Sequence, residues 1–163
     1  MGSEEVPKPE MEPEMEPEMK NNIRFGVSAS GDILSANIAR DNAIGFYDVG
    51  GKNVLQENIA NNNGVGFELL GANSDTLLGN TANGNGENGF FLFSSRFNVL
   101  LGNTANNNGN SGFLVDQSMF NTLQENQACH NGFADIIDTD LFGNGNVYLD
   151  NVFCFFFPSF GQG

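Results

Sequence analysis

The sequence predicts an all-β solenoid, a stack of similar coils in which each coil contributes short strands to parallel sheets. Three observations lead to this prediction. An Asn recurs every 21 to 25 residues, a second Asn follows most of these after five residues, and apolar residues recur at fixed offsets between them. A repeat of this length is typical of proteins in which each unit is stabilised by packing against its neighbours.

Two columns of asparagine define the repeating unit. The first column is Asn37, Asn58, Asn80, Asn103, Asn126 and Asn151, and the second is Asn42, Asn63, Asn85, Asn108 and Asn131. We expect the side-chain amides of each column to hydrogen-bond along the stack as an Asn ladder. We also expect these asparagines to form the corners of the coil, because Asn accepts left-handed backbone angles better than most residues.

Three apolar columns predict the core of the stack. They are Leu34, Leu55, Leu77, Leu100 and Leu123; Ala39, Ala60, Ala82, Ala105 and Ala128; and Phe46, Phe67, Phe90, Phe113 and Ile136. The apolar stretches are short and are separated by Asn and Gly, which predicts three short strands in each coil. The chain contains 26 Asn and 21 Gly, both poor helix formers, so we expect almost no helix. The repeats predict about six coils with a spacing of ~4.8 Å.

One unit, NVLQENIANNNGVGFEL from Asn53 to Leu69, carries a resemblance to a known family. Its pattern resembles the right-handed parallel β-helix repeats of the pectate-lyase-like superfold, and in particular NosD-like and carbohydrate-associated β-helix proteins. The resemblance covers about residues 21 to 153 and implies a right-handed, single-stranded parallel β-helix. It implies much less about activity, because this superfold includes lyases, hydrolases, epimerases, adhesins and spacers.

The composition divides the chain into three segments. Residues 1–20 contain four of the five prolines and seven Glu, which predicts a disordered acidic leader. Residues 21–153 form the predicted β-helix. Residues 154–163 are rich in Phe and are expected to be a C-terminal cap over the core or a tail. If this aromatic segment is exposed and does not cover the core, it favours end-to-end self-association of two copies.

Charge and targeting features limit the partners and the location. The net charge of −14 argues against nucleic acid and anionic membranes as partners, and no apolar run is long enough to span a membrane. Family members by resemblance are usually secreted or periplasmic, yet no signal peptide precedes the repeats. The localisation therefore stays open, and we expect either a fragment of a larger secreted protein or a chain that has lost export.

Two cysteines fall at matching positions of neighbouring coils. Cys129 and Cys154 each follow an anchor Asn by three residues, so their Cα atoms should lie ~5 Å apart, within the range of a disulfide. Whether they are oxidised depends on the compartment, which the sequence leaves open. His130 adjoins Cys129, and with Met119 these residues are the soft-metal candidates. Cys129 and His130 should point to different sides of a corner or strand and Met119 falls in a loop, so we expect His130 to be a surface residue.

The acidic residues form no obvious catalytic site. Asp135, Asp138 and Asp140 cluster in one loop and are candidates for calcium, although their spacing matches neither an EF-hand nor a nonapeptide calcium repeat. Glu125 and Asp150 are adjacent in the stack, at a separation that resembles a retaining-hydrolase pair but also that of any two surface acids. Because a buried carboxylate is costly, we expect Asp48 and Asp138 to turn away from the core into their flanking loops.

The scarcity of basic residues favours a protein that is not an enzyme, without deciding the question. Outside the leader the chain has only Arg24, Arg40, Lys52 and Arg96, and no column pairs a base with a row of acids. Lyases and hydrolases of the superfold need both. We therefore predict no catalytic residues and no cofactor, and a non-catalytic scaffold or weak carbohydrate-binding module. Two alternatives remain: a fragment related to polysaccharide lyases, hydrolases or epimerases, and an accessory protein for copper maturation.

Overall fold

The structure is a computed structural model that describes residues 23–139 and 143–154. The predicted leader and residues 155–163 lie outside these ranges. Seventeen short strands and no helix are present in the described residues, and all strand pairings are parallel. The prediction of an all-β parallel solenoid is therefore confirmed.

Three sheets run along the stack, each receiving one strand per coil. Sheet A contains β1 (Ile23–Val27), β4 (Ile44–Asp48), β7 (Val65–Leu70), β9 (Phe90–Phe93), β12 (Ser111–Asp116) and β15 (Ala134–Asp138). Sheet B contains β2 (Ile33–Ser35), β5 (Val54–Gln56), β8 (Thr76–Leu78), β10 (Val99–Leu101), β13 (Thr122–Gln124) and β16 (Val147–Leu149). Sheet C contains β3 (Ile38–Arg40), β6 (Ile59–Asn61), β11 (Thr104–Asn106), β14 (Gln127–Cys129) and β17 (Val152–Phe153), with Thr81 bridging its two parts.

The described strands make about five complete coils, close to the six that were expected. Each coil passes through sheet B, sheet C and sheet A in turn. We call the corner between sheets A and B corner 1, that between B and C corner 2, and that between C and A corner 3. The handedness of the coil stays a prediction.

The core consists of the predicted columns in the predicted register. Leu55 lies opposite Leu77, Ala105 opposite Ala128, and Phe67 opposite Phe90. The rings of Phe25, Phe46, Phe67, Phe90 and Phe113 stack with centroids 4.7 to 4.9 Å apart, which matches the coil spacing. These side chains are buried almost completely from Phe46 onward.

Phe153 ends the described core. It replaces Ala at the position opposite Ala128, and its ring meets that of Phe113 at 6.0 Å with a tilt of 56°. The aromatic stack therefore changes direction at the last coil. The rest of the predicted Phe-rich cap lies outside the described residues.

The long final repeat keeps its register because its extra residues lie in corner 1. Asn121 donates its backbone N–H to Asn146 Oδ1, although 25 residues separate them, and β13 pairs with β16 without a shift. The two added residues therefore fall between Asp138 and Asn146, as the spacing of the asparagines predicted.

The ladder asparagines do not supply the left-handed backbone angles of the corners, since none of them has a positive φ. The left-handed positions are instead held by the residue that precedes the ladder position or by a nearby one, and many are neither Asn nor Gly: Ala36, Asp41, Lys52, Glu57, Ser74, Phe97, Phe120, Glu125, His130 and Asp150. The repeated Asn is thus selected by its side-chain hydrogen bonds and not by its backbone angles.

Candidate functional site

The predicted Asn ladders fill the inside of corners 2 and 3. In corner 2, Asn80 donates its backbone N–H and its Nδ2 to Asn103 Oδ1, at 2.8 and 3.0 Å, and the same Nδ2 donates to the Leu55 carbonyl at 2.7 Å. In corner 3, Asn85 donates in the same way to Asn108 Oδ1. The ladder amides in the middle of the stack are buried and fully bonded. They hold the coils together and are not accessible to a ligand.

A third ladder in corner 1 was not predicted. Its members are Asp32, Asn53, Asp75, Asn98, Asn121 and Asn146. Each backbone N–H in this series donates to the side-chain oxygen of the next member, as in the other two corners. The spacing of Asn98, Asn121 and Asn146 was visible in the sequence, but the two aspartates concealed the column.

Asp75 is the anomalous member of this third ladder. Its Oδ1 accepts the backbone N–H of Asn53 at 2.7 Å, whereas its Oδ2 is buried without a hydrogen-bond partner. Burial raises the pKa of Asp75 to about 6, the hydrogen bond from Asn53 opposes this rise, and the charge of Asp48 adds to it. A protonated Oδ2 would place a donor where the other members carry an amide.

Asp48 turns into its flanking corner as expected, but it stays buried. Its side chain is 1% exposed, and it accepts hydrogen bonds from the Gly50 backbone N–H at 2.8 Å and from Asn53 Nδ2 at 3.1 Å. The corner that follows β4 covers the carboxylate and supplies both donors. Burial nevertheless raises the pKa of Asp48, against the lowering effect of these two bonds.

Two of the acids considered for calcium, Asp135 and Asp138, have separate hydrogen-bond partners. Asp135 accepts both donors of Asn131, at 3.2 and 2.7 Å. Asp138 accepts Asn144 Nδ2 at 2.8 Å and the Tyr148 hydroxyl at 2.6 Å, and it therefore does turn into its loop as expected. Asp140 lies outside the described residues. Among residues 23–139 and 143–154, no group of three or more His, Cys, Asp or Glu side chains could hold a metal.

Cys129 and Cys154 lie side by side in consecutive coils and form a disulfide. Their Cα atoms are 5.0 Å apart, and 25 residues separate them in the chain. His130 follows Cys129 in corner 3 with a φ of 61° and is exposed, while Met119 belongs to corner 1. The soft-metal candidates are thus divided between two corners of the coil.

The outer face of sheet A is the most distinctive exposed surface. One column of this face contains Tyr47, Glu68, Phe91, Leu114 and Ile137 in register. A second column contains Leu70, Phe93 and Asp116. The rings of Phe91 and Phe93 lie 6.1 Å apart at an angle of 52°, and both are half-buried. The face is a flat strip with aromatic and apolar groups in its middle and acids beside them.

Glu68 is the group of this face whose pKa is shifted from its ordinary value. Burial raises the pKa of Glu68, and the nearby charge of Glu87 raises it further. This pair was not apparent from the sequence, because Glu87 is an extra residue in corner 3 and breaks the column pattern. The repeat is 22 residues long from Asn58 to Asn80 and 23 residues long from Asn80 to Asn103. This increase of one residue was the only indication of the insertion.

Several solved structures of parallel β-helix proteins have a similar fold. The A-module of mannuronan C-5 epimerase AlgE4 of Azotobacter vinelandii aligns with 82% of this chain and 51% of its own, at 14% identity and a TM-score of 0.62. The periplasmic alginate epimerase AlgG aligns with 78% of this chain and 38% of its own, at 16% identity and a TM-score of 0.60. The chain therefore spans about half or less of these proteins.

A viral protein shows the same likeness. Tailspike protein 2 of the Escherichia coli O157:H7 bacteriophage CAB120 aligns with 77% of this chain and 18% of its own, at 13% identity and a TM-score of 0.58. At these identities the likeness concerns the fold alone. Within the described residues, no helical segment has the length and apolar character needed to span a bilayer.

Sequence families give a more specific result than the solved structures. No curated protein sequence matches the chain. A family model described as periplasmic copper-binding protein (NosD) matches residues 6–154, which is most of the chain. This chain of stacked, Asn-laddered coils therefore belongs to the NosD family.

Proposed function

We propose that the protein is a non-catalytic β-helix scaffold that binds carbohydrate weakly along the outer face of sheet A. The observation that carries this proposal is the row of half-buried aromatic and polar side chains there, with Tyr47, Glu68 and Phe91 in consecutive coils. A row along the stack repeats with the coil spacing of ~4.8 Å, so it suits an extended chain lying parallel to the axis.

The chemistry of this row matches that of a sugar. Aromatic rings offer large apolar surfaces that bury the C–H face of a sugar ring, and they lose little conformational entropy on binding. Carboxylates such as Glu68 and Asp116 accept hydrogen bonds from hydroxyl groups. The contact is shallow because the strip is flat, so we expect a dissociation constant in the millimolar range or somewhat below it.

The same face lacks the parts of a polysaccharide-cleaving or epimerising site. The raised pKa of Glu68 suits a general acid, since such groups act best when their pKa is near the working pH. However, the two columns of the face contain no Lys, Arg or His to neutralise a uronate or to abstract a proton. The alternative of a lyase, hydrolase or epimerase fragment is therefore less well supported than binding without turnover.

Copper, which the family description names, does not fit the described residues. Copper binds well to thiolate, thioether and imidazole donors. In this structure the two cysteines are joined in a disulfide, His130 lies in corner 3, and Met119 lies in corner 1. No thiolate pair or facing imidazole remains to complete a site, so we assign no copper-dependent role to these residues.

The similar structures add support at the level of ligand class. Two of them are named as epimerases of alginate or mannuronan, which are polysaccharides. Because this chain spans only 38% and 51% of those two proteins, their activities are not transferred to it. From these structures we take only that a fold of this kind can bind a polysaccharide, and we apply this to the present chain as part of the proposal.

A glycan-array screen with and without calcium tests the proposal. We expect weak binding to one or a few polysaccharides, and a loss of about tenfold in affinity for Phe91→Ala because a stacking surface is removed. Ile38→Ala is the matched control, since Ile38 is exposed on sheet C at 52% and away from the strip. The proposal fails if no glycan binds, or if both variants bind as the wild-type protein does.

A further inference from the structure

An exposed column in corner 1 combines two phenylalanines with a lysine. Lys52, Ser74, Phe97 and Phe120 occupy equivalent positions of four consecutive coils, each with a φ between 57° and 64°. Backbone hydrogen bonds fix this register, from Lys52 N–H to the Asn73 carbonyl at 3.0 Å and from Ser74 N–H to the Arg96 carbonyl at 3.0 Å. The four side chains therefore leave the corner in similar directions.

The two phenylalanines of this column are unusual in residue type and exposure. The left-handed backbone recurs before the ladder residues throughout the stack, but a bulky aromatic residue is an uncommon choice for it. Phe97 and Phe120 are also 57% and 49% exposed, whereas the phenylalanines of the core column are buried from Phe46 onward. Their rings stack with centroids 5.3 Å apart and an interplanar angle of 8°. The pair therefore forms an ordered aromatic stack on the outside of the protein.

Only one face of this stack is open. A Cβ atom added to Gly145, the next position of the column, would lie 2.4 Å from a ring carbon of Phe120, so the backbone of Gly145 closes that end. At the other end the next residue is Ser74, whose small side chain leaves the outer face of the Phe97 ring uncovered. Lys52 follows one coil further, about 10 Å from the level of Phe97 by the coil spacing. This distance leaves room for one ring between the phenylalanine and the ammonium group.

Two of the few cations of the chain lie at this gap, beside the buried carboxylates of Asp48 and Asp75 in the same corner. The sequence from residue 23 onward contains only four Lys and Arg residues, in a chain whose net charge is −14. Two of the four, Lys52 and Arg96, are exposed and belong to this corner. The gap thus presents an aromatic surface, a hydroxyl and a cation in sequence along the stack.

We propose that Lys52, Ser74 and Phe97 form a subsite for one acidic sugar unit, a hexuronate residue. The C–H face of the sugar stacks on Phe97, a ring hydroxyl bonds to Ser74, and the carboxylate pairs with the ammonium group of Lys52. The subsite lies in corner 1 and not on the outer face of sheet A. It therefore goes beyond the proposed function in its location and in the charge of its ligand. Binding at this subsite does not depend on the outer face of sheet A, so the two proposals can be tested separately.

Ligand-observed NMR titration with trigalacturonate, alongside its fully methyl-esterified form, tests this subsite. We expect the acid to bind and the ester to bind several-fold more weakly, and the difference to shrink as salt is added. Lys52→Gln should weaken binding of the acid by about threefold and leave binding of the ester unchanged. This variant removes an exposed charge, so its folding is not at risk.

Ser74→Phe provides the sharpest variant. It adds a third ring to the existing stack and fills the gap, so trigalacturonate should no longer bind while circular dichroism and the melting temperature stay near those of the wild-type protein. Ile38→Ala, on sheet C and away from both proposed surfaces, is the control and should bind trigalacturonate as the wild-type protein does. Absence of binding, equal binding of acid and ester, or unchanged binding by a folded Ser74→Phe variant would each overturn the proposal.

Discussion

Asp135 accepts hydrogen bonds from the backbone N–H and from the side-chain amide of Asn131, at 3.2 and 2.7 Å. These are the two bonds that every earlier Asn of corner 3 donates to the Asn of the next coil. Asp135 lies in β15 at the position where the earlier coils have glycine. A Cβ atom at one of these glycines, Gly112, would lie 2.9 Å from Asn131 Nδ2. The glycine column thus makes room for the ladder, and Asp135 ends the ladder by filling that room with an acceptor.

Replacement of Asp135 should therefore destabilise the last coils. In Asp135→Ala, both donors of Asn131 lose their acceptor in a site that is 1% exposed, so we expect a loss of about 1–3 kcal/mol in the free energy of unfolding. Asp135→Asn keeps an acceptor oxygen and should lose less. Urea denaturation measures both, with exposed Asp150→Asn as the control. Equal stability of Asp135→Ala and the control would show that Asp135 does not end the ladder.

Repetition explains what the sequence revealed and what it concealed. Leu100 and Asn103 belong to columns in which the same residue recurs in every coil, so their burial and partners were predictable. Asp75 and Glu87 break the repetition, one by substitution in a ladder and one by insertion in a corner. Their surroundings depend on side chains of neighbouring coils whose alignment is known only after folding. The candidate carbohydrate surface was unpredictable for the same reason, because Glu68 and Phe91 come together across coils of different length.

The inward and outward assignments of the columns can be tested with two aspartates. Leu100→Asp places a charge in a position that is 0% exposed, so we expect the loss of most or all of the folding stability, ~4 kcal/mol or more. Asn106→Asp retains the oxygen that accepts the Cys129 backbone N–H at 2.8 Å, and it should change stability by less than about 1 kcal/mol. Thermal melts that are alike for the two variants would contradict the assignment.

The disulfide should stabilise the C-terminal end of the stack. Cys129 and Cys154 close a loop of 25 residues, for which the chain-entropy model gives about 3 kcal/mol. We expect dithiothreitol to lower the melting temperature of the wild-type protein and to leave that of Cys154→Ser unchanged. Mass spectrometry after thiol alkylation, with and without reduction, reports the redox state directly. Labelling of both cysteines in the unreduced, folded protein would show that the pair is not oxidised.

Asp75 should make stability depend on pH. The pKa of Asp75 is about 6 in the folded protein, above the value of about 3.9 for an unfolded chain, so the folded state binds the proton more tightly. Stability is therefore greatest below pH ~4 as far as Asp75 is concerned, and it falls as the pH rises through ~6. Asp75→Asn supplies the missing donor without a charge. It should raise the free energy of unfolding by about 1–3 kcal/mol at pH 7.5 and by much less at pH 4.5.

Asp32→Asn is the matched control for this pH dependence. Asp32 belongs to the same ladder but is exposed at its end, so its replacement should have a small effect at both pH values. Asp48 also has a raised pKa and remains in both variants, so some pH dependence will persist. A gain in stability for Asp75→Asn that is the same at pH 4.5 and pH 7.5 would exclude a proton on Asp75 as its cause.

The protein should bind polysaccharide without turning it over. Proton abstraction from a uronate needs a base close to the sugar and a cation to stabilise the developing charge, whereas Glu68 has only Glu87 as a charged neighbour that affects its pKa. The proposed hexuronate subsite supplies a cation, Lys52, but Asp75 beside it is buried in the ladder and cannot reach a ligand. We therefore expect no unsaturated uronate from polygalacturonate or alginate in an ultraviolet absorbance assay, at any pH from 5 to 9. Product that forms with the wild-type protein and disappears in Glu68→Gln would instead place a catalytic acid on the outer face of sheet A.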